Sequence, residues 1–173
     1  MPNPRIACRN GLERLLEVIV IGLLLSLVMV VVLAVIFRKS GFSLVWYDEV
    51  ASIMLAWLTY YGAALAALRR AHIGFSGLVD AVHLPLRLIL VVIGEVCVFA
   101  FFVILAWVGY QVLLVLEGDT LVSLPEVSTQ FTQSVIPIGA GLFILAQTLS
   151  LPDVWRAATL GESVGAHEID AVR

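Results

Sequence analysis

Charge and cysteine are both scarce in this sequence. Only 13% of the 173 residues are charged, whereas 61% are hydrophobic. A soluble domain of this size does not expose so much apolar surface, so the composition excludes an ordinary soluble protein and indicates one embedded in a membrane. The two cysteines are Cys8, in a polar N-terminal segment, and Cys97, inside an apolar run. They are poorly placed to form a disulfide, and we interpret Cys97 as a small apolar packing residue.

Motifs for metal and phosphate chemistry are also missing. The chain has no C-x-x-C pair, no H-E-x-x-H motif and no phosphate-binding loop. The three histidines, His72, His83 and His167, lie outside the middle of the apolar runs, where haem ligands between helices would be expected. We therefore expect no enzyme activity, no metal site and no cofactor.

Four apolar segments are long enough to cross a bilayer as helices. At 1.5 Å per residue, about 20 residues span the hydrocarbon layer. We predict an all-α integral membrane protein with one domain at residues 1–156 and a disordered cytoplasmic tail at 157–173. The third helix is longer than a bilayer requires and should tilt. The predicted helices occupy residues 15–37, 49–70, 86–116 and 130–151.

The fourth segment contains Pro137, Gly139 and Gly141, which predict a kink in its first third. The first segment follows a basic N-terminus, as a signal peptide would. It is too long for a signal sequence and has no small-x-small cleavage site before Arg38, so we expect a retained transmembrane helix.

The distribution of basic residues predicts the orientation. If the N-terminus is cytoplasmic, the outer side carries only Arg38 and Lys39. The positive-inside rule then places both termini in the cytoplasm of a bacterial inner-membrane, multi-pass protein. The basic residues of the inner side are Arg5, Arg9, Arg14, Arg69, Arg70, Arg87, Arg156 and Arg173.

The second segment carries a stripe of small residues along one helical face. Steps of three and four residues keep side chains on the same face. Between its charged ends every member is small, and in lipid such a face lets two helix backbones approach closely. Alanine is also simply common in membrane helices. The charged ends of the stripe either match the helix dipole and snorkel without any partner or pair with charges on a neighbouring subunit. The stripe, our candidate subunit interface, is Glu49, Ser52, Ala56, Thr59, Ala63, Ala66 and Arg70.

Other polar and aromatic residues have simpler interpretations. Trp46, Tyr47, Arg69 and His72 flank the second segment and are predicted interfacial anchors. Glu95 is a carboxylate inside the third segment. Such a group is either an ion or proton site or a carboxyl hydrogen-bonded to another helix, and we favour the structural interpretation.

Several short motifs together resemble one family. They are W-x-D-E at 46–49, G-A-A at 62–64, R-R-x-H-I at 69–73, L-P at 84–85, S-L-P at 123–125 and I-P-I-G at 136–139. In order and spacing, over most of residues 12–156, they are similar to the small membrane subunit of tripartite ATP-independent periplasmic (TRAP) transporters. The chain departs from that pattern at 74–76, where Gly-Phe-Ser replaces a run that usually contains an aspartate.

The resemblance implies a transport function. In that family the small subunit pairs with a large elevator-type membrane subunit that holds the substrate and sodium sites. A periplasmic binding protein delivers an organic acid, and sodium symport drives uptake. The resemblance implies that this chain anchors and scaffolds the large subunit, in contact with membrane lipids and without nucleic acid. Two alternatives remain open: a membrane anchor of a respiratory enzyme that binds haem or quinone, and a self-sufficient small transporter.

Overall fold

The computed structural model describes residues 4–42, 44–69 and 84–160. This part of the chain is helical, and four of its segments are long and apolar enough to cross a membrane. The prediction of an all-α fold with four transmembrane helices is confirmed. A short helix and the long helix after it together form the fourth span. The helices are α1 (Pro4–Lys39), α2 (Tyr47–Leu68), α3 (Leu84–Val115), α4 (Thr129–Gln133) and α5 (Val135–Leu160).

Two helix ends differ from the prediction. Helix α1 begins at Pro4 rather than near residue 15, and proline suits the first turn of a helix because its missing N–H needs no partner there. Helix α5 continues beyond residue 151, through Pro152, to Leu160. The rest of the predicted tail, 161–173, and the predicted interfacial connection at 71–83 lie outside the described residues.

The helices pack as a row rather than as a closed bundle. Helix α1 packs mainly on α2, α2 on α5, and α5 on α3, so α5 lies between α2 and α3. Among the described residues, α3 makes extensive helix contacts only with α5. Much of the apolar surface of α1 and α3 is therefore exposed, including Leu25, Met29, Ile104 and Trp107.

The largest buried cluster lies at the level of the last turns of α2, where α1, α2 and α5 meet. It is built from small and large residues in alternation, since alanines let the helices approach and larger side chains fill the remaining space. The rings of Phe102 and Phe143 stack at this level, with centroids 3.5 Å apart and planes inclined by 8°. The core residues are Leu16, Ala64, Ala67, Leu68, Phe143 and Ala146.

The fourth span is interrupted at Ser134, between α4 and α5. Pro137 lacks an N–H, so the carbonyl of Gln133 cannot receive its regular helical bond. The Ser134 hydroxyl donates to the Phe131 carbonyl at 2.7 Å, within the last turn of α4. The interruption lies three residues before Pro137, and the kink predicted in this span stays a prediction.

Two glycines permit close helix crossings on α5. A Cβ added to Gly139 would lie 2.7 Å from the Cβ of Tyr60 on α2. A Cβ added to Gly109 of α3 would lie 2.7 Å from Cγ2 of Ile136. Both crossings therefore require the absence of a side chain, whereas Gly141, two residues from Gly139, has nothing within 4 Å of its added Cβ.

We predict that Gly139→Ala lowers stability and that Gly141→Ala does not. The first substitution forces α2 and α5 apart, at a cost of about 1–3 kcal/mol. The second removes a flexible residue from a helix, which stabilises by about 0.5–1 kcal/mol. Thermal melting of the detergent-solubilised chain measures both. Equal melting temperatures for the two variants would contradict the α2–α5 crossing described here.

Candidate functional site

The small-residue stripe of α2 lies mainly on the exposed side of that helix. Ser52, Ala56 and Thr59 are exposed, whereas Ala63 and Ala66 are half-buried, and Ala63 packs against the core. The buried residues of α2 are Ala64, Ala67 and Leu68, which face the neighbouring helices. The described helices of this chain thus leave the first half of the stripe uncovered, and Arg70 lies outside the described residues.

The hydroxyl groups of the stripe are satisfied by their own helix. Ser52 donates to the carbonyl of Glu49 and Thr59 donates to the carbonyl of Leu55, each at 2.8 Å. Such local bonds remove the cost of placing a hydroxyl in an apolar environment. The exposed part of the stripe is therefore a narrow, flat surface whose polar groups need no outside partner.

Glu49, at the start of the stripe, binds the loop between α3 and α4. Its carboxylate accepts hydrogen bonds from the backbone N–H groups of Val122, at 3.2 Å, and Ser123, at 2.8 Å. Sequence reasoning proposed a dipole-matched end or a partner on another subunit for Glu49. The structure adds a third role, a clamp that joins the W-x-D-E motif to the S-L-P motif.

The loop that Glu49 holds has a defined hairpin-like form. The backbone N–H of Leu121 donates to Val127, and that of Thr129 donates to Asp119, both at 3.0 Å. Gly118 opens the turn with a φ of 90°, a left-handed conformation that glycine adopts without strain. With its own cross-bonds and the Glu49 clamp, the loop is a fixed element beside the start of α2.

Trp57 supports α2 at the interruption of the fourth span. Its indole Nε1 donates to the carbonyl of Thr132 at 2.8 Å, and its ring contacts those of Tyr61 and Phe131 at centroid distances of 6.3 and 5.4 Å. Sequence reasoning did not identify this residue. The signal was available, because an indole N–H within an apolar span needs an acceptor and a helix-breaking proline frees carbonyls nearby.

The predicted anchor residues have separate environments. Trp46 is exposed and precedes the first turn of α2, and Tyr47 is half-buried. Their position at the end of a span is consistent with a place at the membrane interface, which stays a prediction. His72 lies outside the described residues.

Arg69 binds to α1, which sequence reasoning did not anticipate. Its Nε lies 2.8 Å from Oε1 of Glu13, and one terminal nitrogen lies 3.1 Å from Oε2 of Glu17. The two carboxylates are one helical turn apart, so a single guanidinium can bridge both. The pKa of Arg69 is raised, first by its hydrogen bond with Glu13 and then by that with Glu17. The guanidinium is protonated throughout the physiological pH range, because the ordinary pKa of arginine is already far above neutrality.

Glu95 of α3 faces α5. Its Oε2 accepts a hydrogen bond from Nε2 of Gln147, and the contact is partly buried. The structure therefore places the intramembrane carboxylate against an amide of another helix. Its structural role, which we favoured from the sequence, remains a prediction. Cys97, two residues further on, is exposed rather than packed.

We predict that Glu49→Gln releases the loop. An amide oxygen is uncharged and its NH₂ group cannot accept, so at least one of the two backbone N–H groups loses its partner. Amide hydrogen exchange at Val122 and Ser123 should then become several-fold faster. Asp48→Asn is the matched control, since Asp48 is an exposed acid in the same first turn. Unchanged exchange in Glu49→Gln would show that the clamp does not order the loop.

Comparison with protein families identifies the family of this chain. A sequence profile described as tripartite ATP-independent periplasmic transporters, DctQ component, matches residues 27–157. None of the curated proteins matches the chain. The matched range contains α2, α3 and α4, most of α5 and residues 27–39 of α1, and it includes every motif on which the resemblance was based. The chain therefore belongs to the DctQ family, the small membrane component of TRAP transporters, and is a multi-pass inner-membrane protein of a transport system rather than an enzyme.

Proposed function

We propose that this chain is the scaffold that anchors a large elevator-type membrane subunit, in a transporter that takes up an organic acid with sodium. A periplasmic binding protein delivers the acid. The family supports the coarse part of this proposal, because its transporters have three components. The anchoring role rests on one observation: the helices form a row, and the outer faces of α1 and α3 are exposed.

A scaffold needs internal rigidity and an available surface, and the chain has both. The helices of the row are joined through contacts that fix their relative positions: the Glu49 clamp, the Trp57 bond and the Arg69 bridge. At the same time, the outer faces of α1, α3 and the first half of the α2 stripe are exposed. In a membrane, such faces contact either lipid or another transmembrane subunit.

The α2 stripe is the surface that we assign to the large subunit. Large apolar side chains pack equally well against lipid, whereas a face of small residues gains most from close approach of a second helix. Ser52, Ala56 and Thr59 form such a face. The hydroxyls of Ser52 and Thr59 are hydrogen-bonded within α2 and need no hydrogen-bond partner on the large subunit. Glu49, at the N-terminal end of the stripe, has its carboxylate hydrogen-bonded within this chain. We therefore propose that helix packing, rather than an ion pair with Glu49, binds the large subunit.

Reconstitution tests the proposed function. The chain, the large subunit and the binding protein are placed in liposomes together and with each component omitted, and sodium-dependent uptake of candidate organic acids is measured. We expect uptake only with all three components, and no uptake by this chain alone. Uptake by the large subunit and binding protein without this chain would contradict an obligatory scaffold, and uptake by the chain alone would contradict the division of labour.

We predict that Ala56→Phe lowers recovery of the large subunit with this chain, measured by co-purification in mild detergent. An aromatic ring in a close helix contact costs about 1.4 kcal/mol or more, which weakens association about tenfold. Ala56→Ser keeps the residue small and should retain normal recovery. Because Ala56 is exposed, both variants should melt like the parent chain.

Ala63→Phe is the comparison that separates folding from association. Ala63 packs partly against the buried core of this chain, so the added ring should lower the melting temperature of the chain itself. Normal co-purification of the large subunit with Ala56→Phe would show that the stripe is not the interface. It would not contradict the transport function, which reconstitution tests separately.

A further inference from the structure

Helix α3 has apolar side chains on every side. Ile89, Ile93, Val96, Phe101, Ile104 and Trp107 are all more than half exposed and lie on one broad face of the helix. The side that packs on α5 also carries apolar residues, such as Phe102. A helix that is apolar all round has no amphipathic preference to fix its rotation in lipid. Among the described helices α3 packs mainly on α5, so specific contacts with α5 must set its rotation.

The contacts of α3 with the fourth span lie along one stripe with a regular spacing. Glu95, Phe102 and Gly109 are seven residues apart in turn. A seven-residue spacing keeps positions on one side of a helix and is typical of an antiparallel or parallel coiled-coil seam. Their partners on α5 run in the opposite direction and are Gln147, Phe143 and Ile136.

The three levels of this seam are chemically different. The first is a hydrogen bond between Glu95 and Gln147, the second is the stacked pair of rings, and the third is the close contact of Gly109 with Ile136. If α3 slid by one turn or rotated, the carboxyl group would face an aromatic or aliphatic side chain without a partner. A polar residue at one seam position sets register in this way in soluble coiled coils.

Both members of the polar pair lie inside the apolar spans at a similar depth. Glu95 is seven residues inside the Leu88 end of its span, roughly 10 Å along the helix. Gln147 is five residues inside the Pro152 end of its span, roughly 8 Å along the helix. Ionisable groups at such depth are costly unless paired, so the amide of Gln147 gives the Glu95 carboxyl a strong preference for this one position.

We propose that the Glu95–Gln147 hydrogen bond is the positioning contact that sets the rotation and register of α3 against α5. It thereby determines which face of α3 is left uncovered. This inference concerns packing within the chain and does not depend on the proposed transport function, so the two can fail separately.

Cys97 provides a native reporter of this rotation. It is exposed on α3, two residues from Glu95. In a Cys8→Ser background it is the only thiol, and a spin label on it measures collisions with oxygen dissolved in the lipid. The full chain is reconstituted in liposomes for this measurement, and its melting temperature is measured in detergent.

Conservative and exchanged variants distinguish positioning from general packing. Glu95→Gln and the exchange Glu95→Gln/Gln147→Glu both keep a polar pair and should retain the parent oxygen accessibility. Glu95→Leu should change that accessibility and lower the melting temperature by about 2–4 °C. Gln147→Glu alone places two carboxyl groups opposite each other and should be the least stable, whereas the exchange should restore stability.

The apolar double variant Glu95→Leu/Gln147→Leu gives the sharpest separation. It should recover stability, since neither polar group is left unpaired, but its label should show more than one environment because the register is no longer specified. Two results would overturn the proposal: parent accessibility in Glu95→Leu and in the double variant, or an exchange variant no more stable than Gln147→Glu alone. The second criterion holds even if Glu95→Leu does not fold.

Discussion

The absence of water from the bilayer interior constrains this structure more than any other factor. A polar group within an apolar span must find its partner inside the protein, because lipid offers none. Two polar side chains of the spans find their partners on other helices: Trp57 donates to the backbone carbonyl of Thr132, and Glu95 accepts from Gln147. These two side chains therefore join α2 to α4 and α3 to α5, whereas the hydroxyls of Ser52 and Thr59 bond within their own helix.

Helix α5 is central because it combines these polar contacts with close approach. Gly139 lets α2 approach, the Ile136–Pro137 segment packs on Gly109 of α3, and Gln147 binds Glu95. Hydrophobic burial does not drive association in lipid, since the lipid is as apolar as the side chains, so packing and hydrogen bonds must supply it. A helix that has two glycines and an amide can contact two neighbours in this way. In contrast α1, whose membrane segment is almost wholly aliphatic, packs mainly on α2 and buries Leu16 and Ala34.

The sequence was sufficient to predict the number of membrane spans and the family, but not the contacts that arrange the helices. Length and hydropathy identify a span because a bilayer sets a fixed distance, and the small-residue stripe is visible because it depends on local periodicity. The Glu49 clamp joins residues more than 70 positions apart, and the Arg69 bridge depends on how α1 lies beside α2. Neither has a local pattern. The end of the fourth span was also predicted too early. We placed it at residue 151, immediately before Pro152, but α5 continues through that proline.

The same contacts favour a supporting role over a transporting one. A transport site exchanges partners during its cycle, and it commonly uses broken helices whose free backbone groups bind the ion or substrate. This chain does have an interruption in its fourth span, at Ser134. Beside it, however, the Thr132 carbonyl receives the Trp57 indole, the Phe131 carbonyl receives the Ser134 hydroxyl, and the Leu113 carbonyl at the end of α3 receives the amide of Gln130. Groups that are engaged in this way hold this part of the protein in place, which supports the scaffold role that we propose.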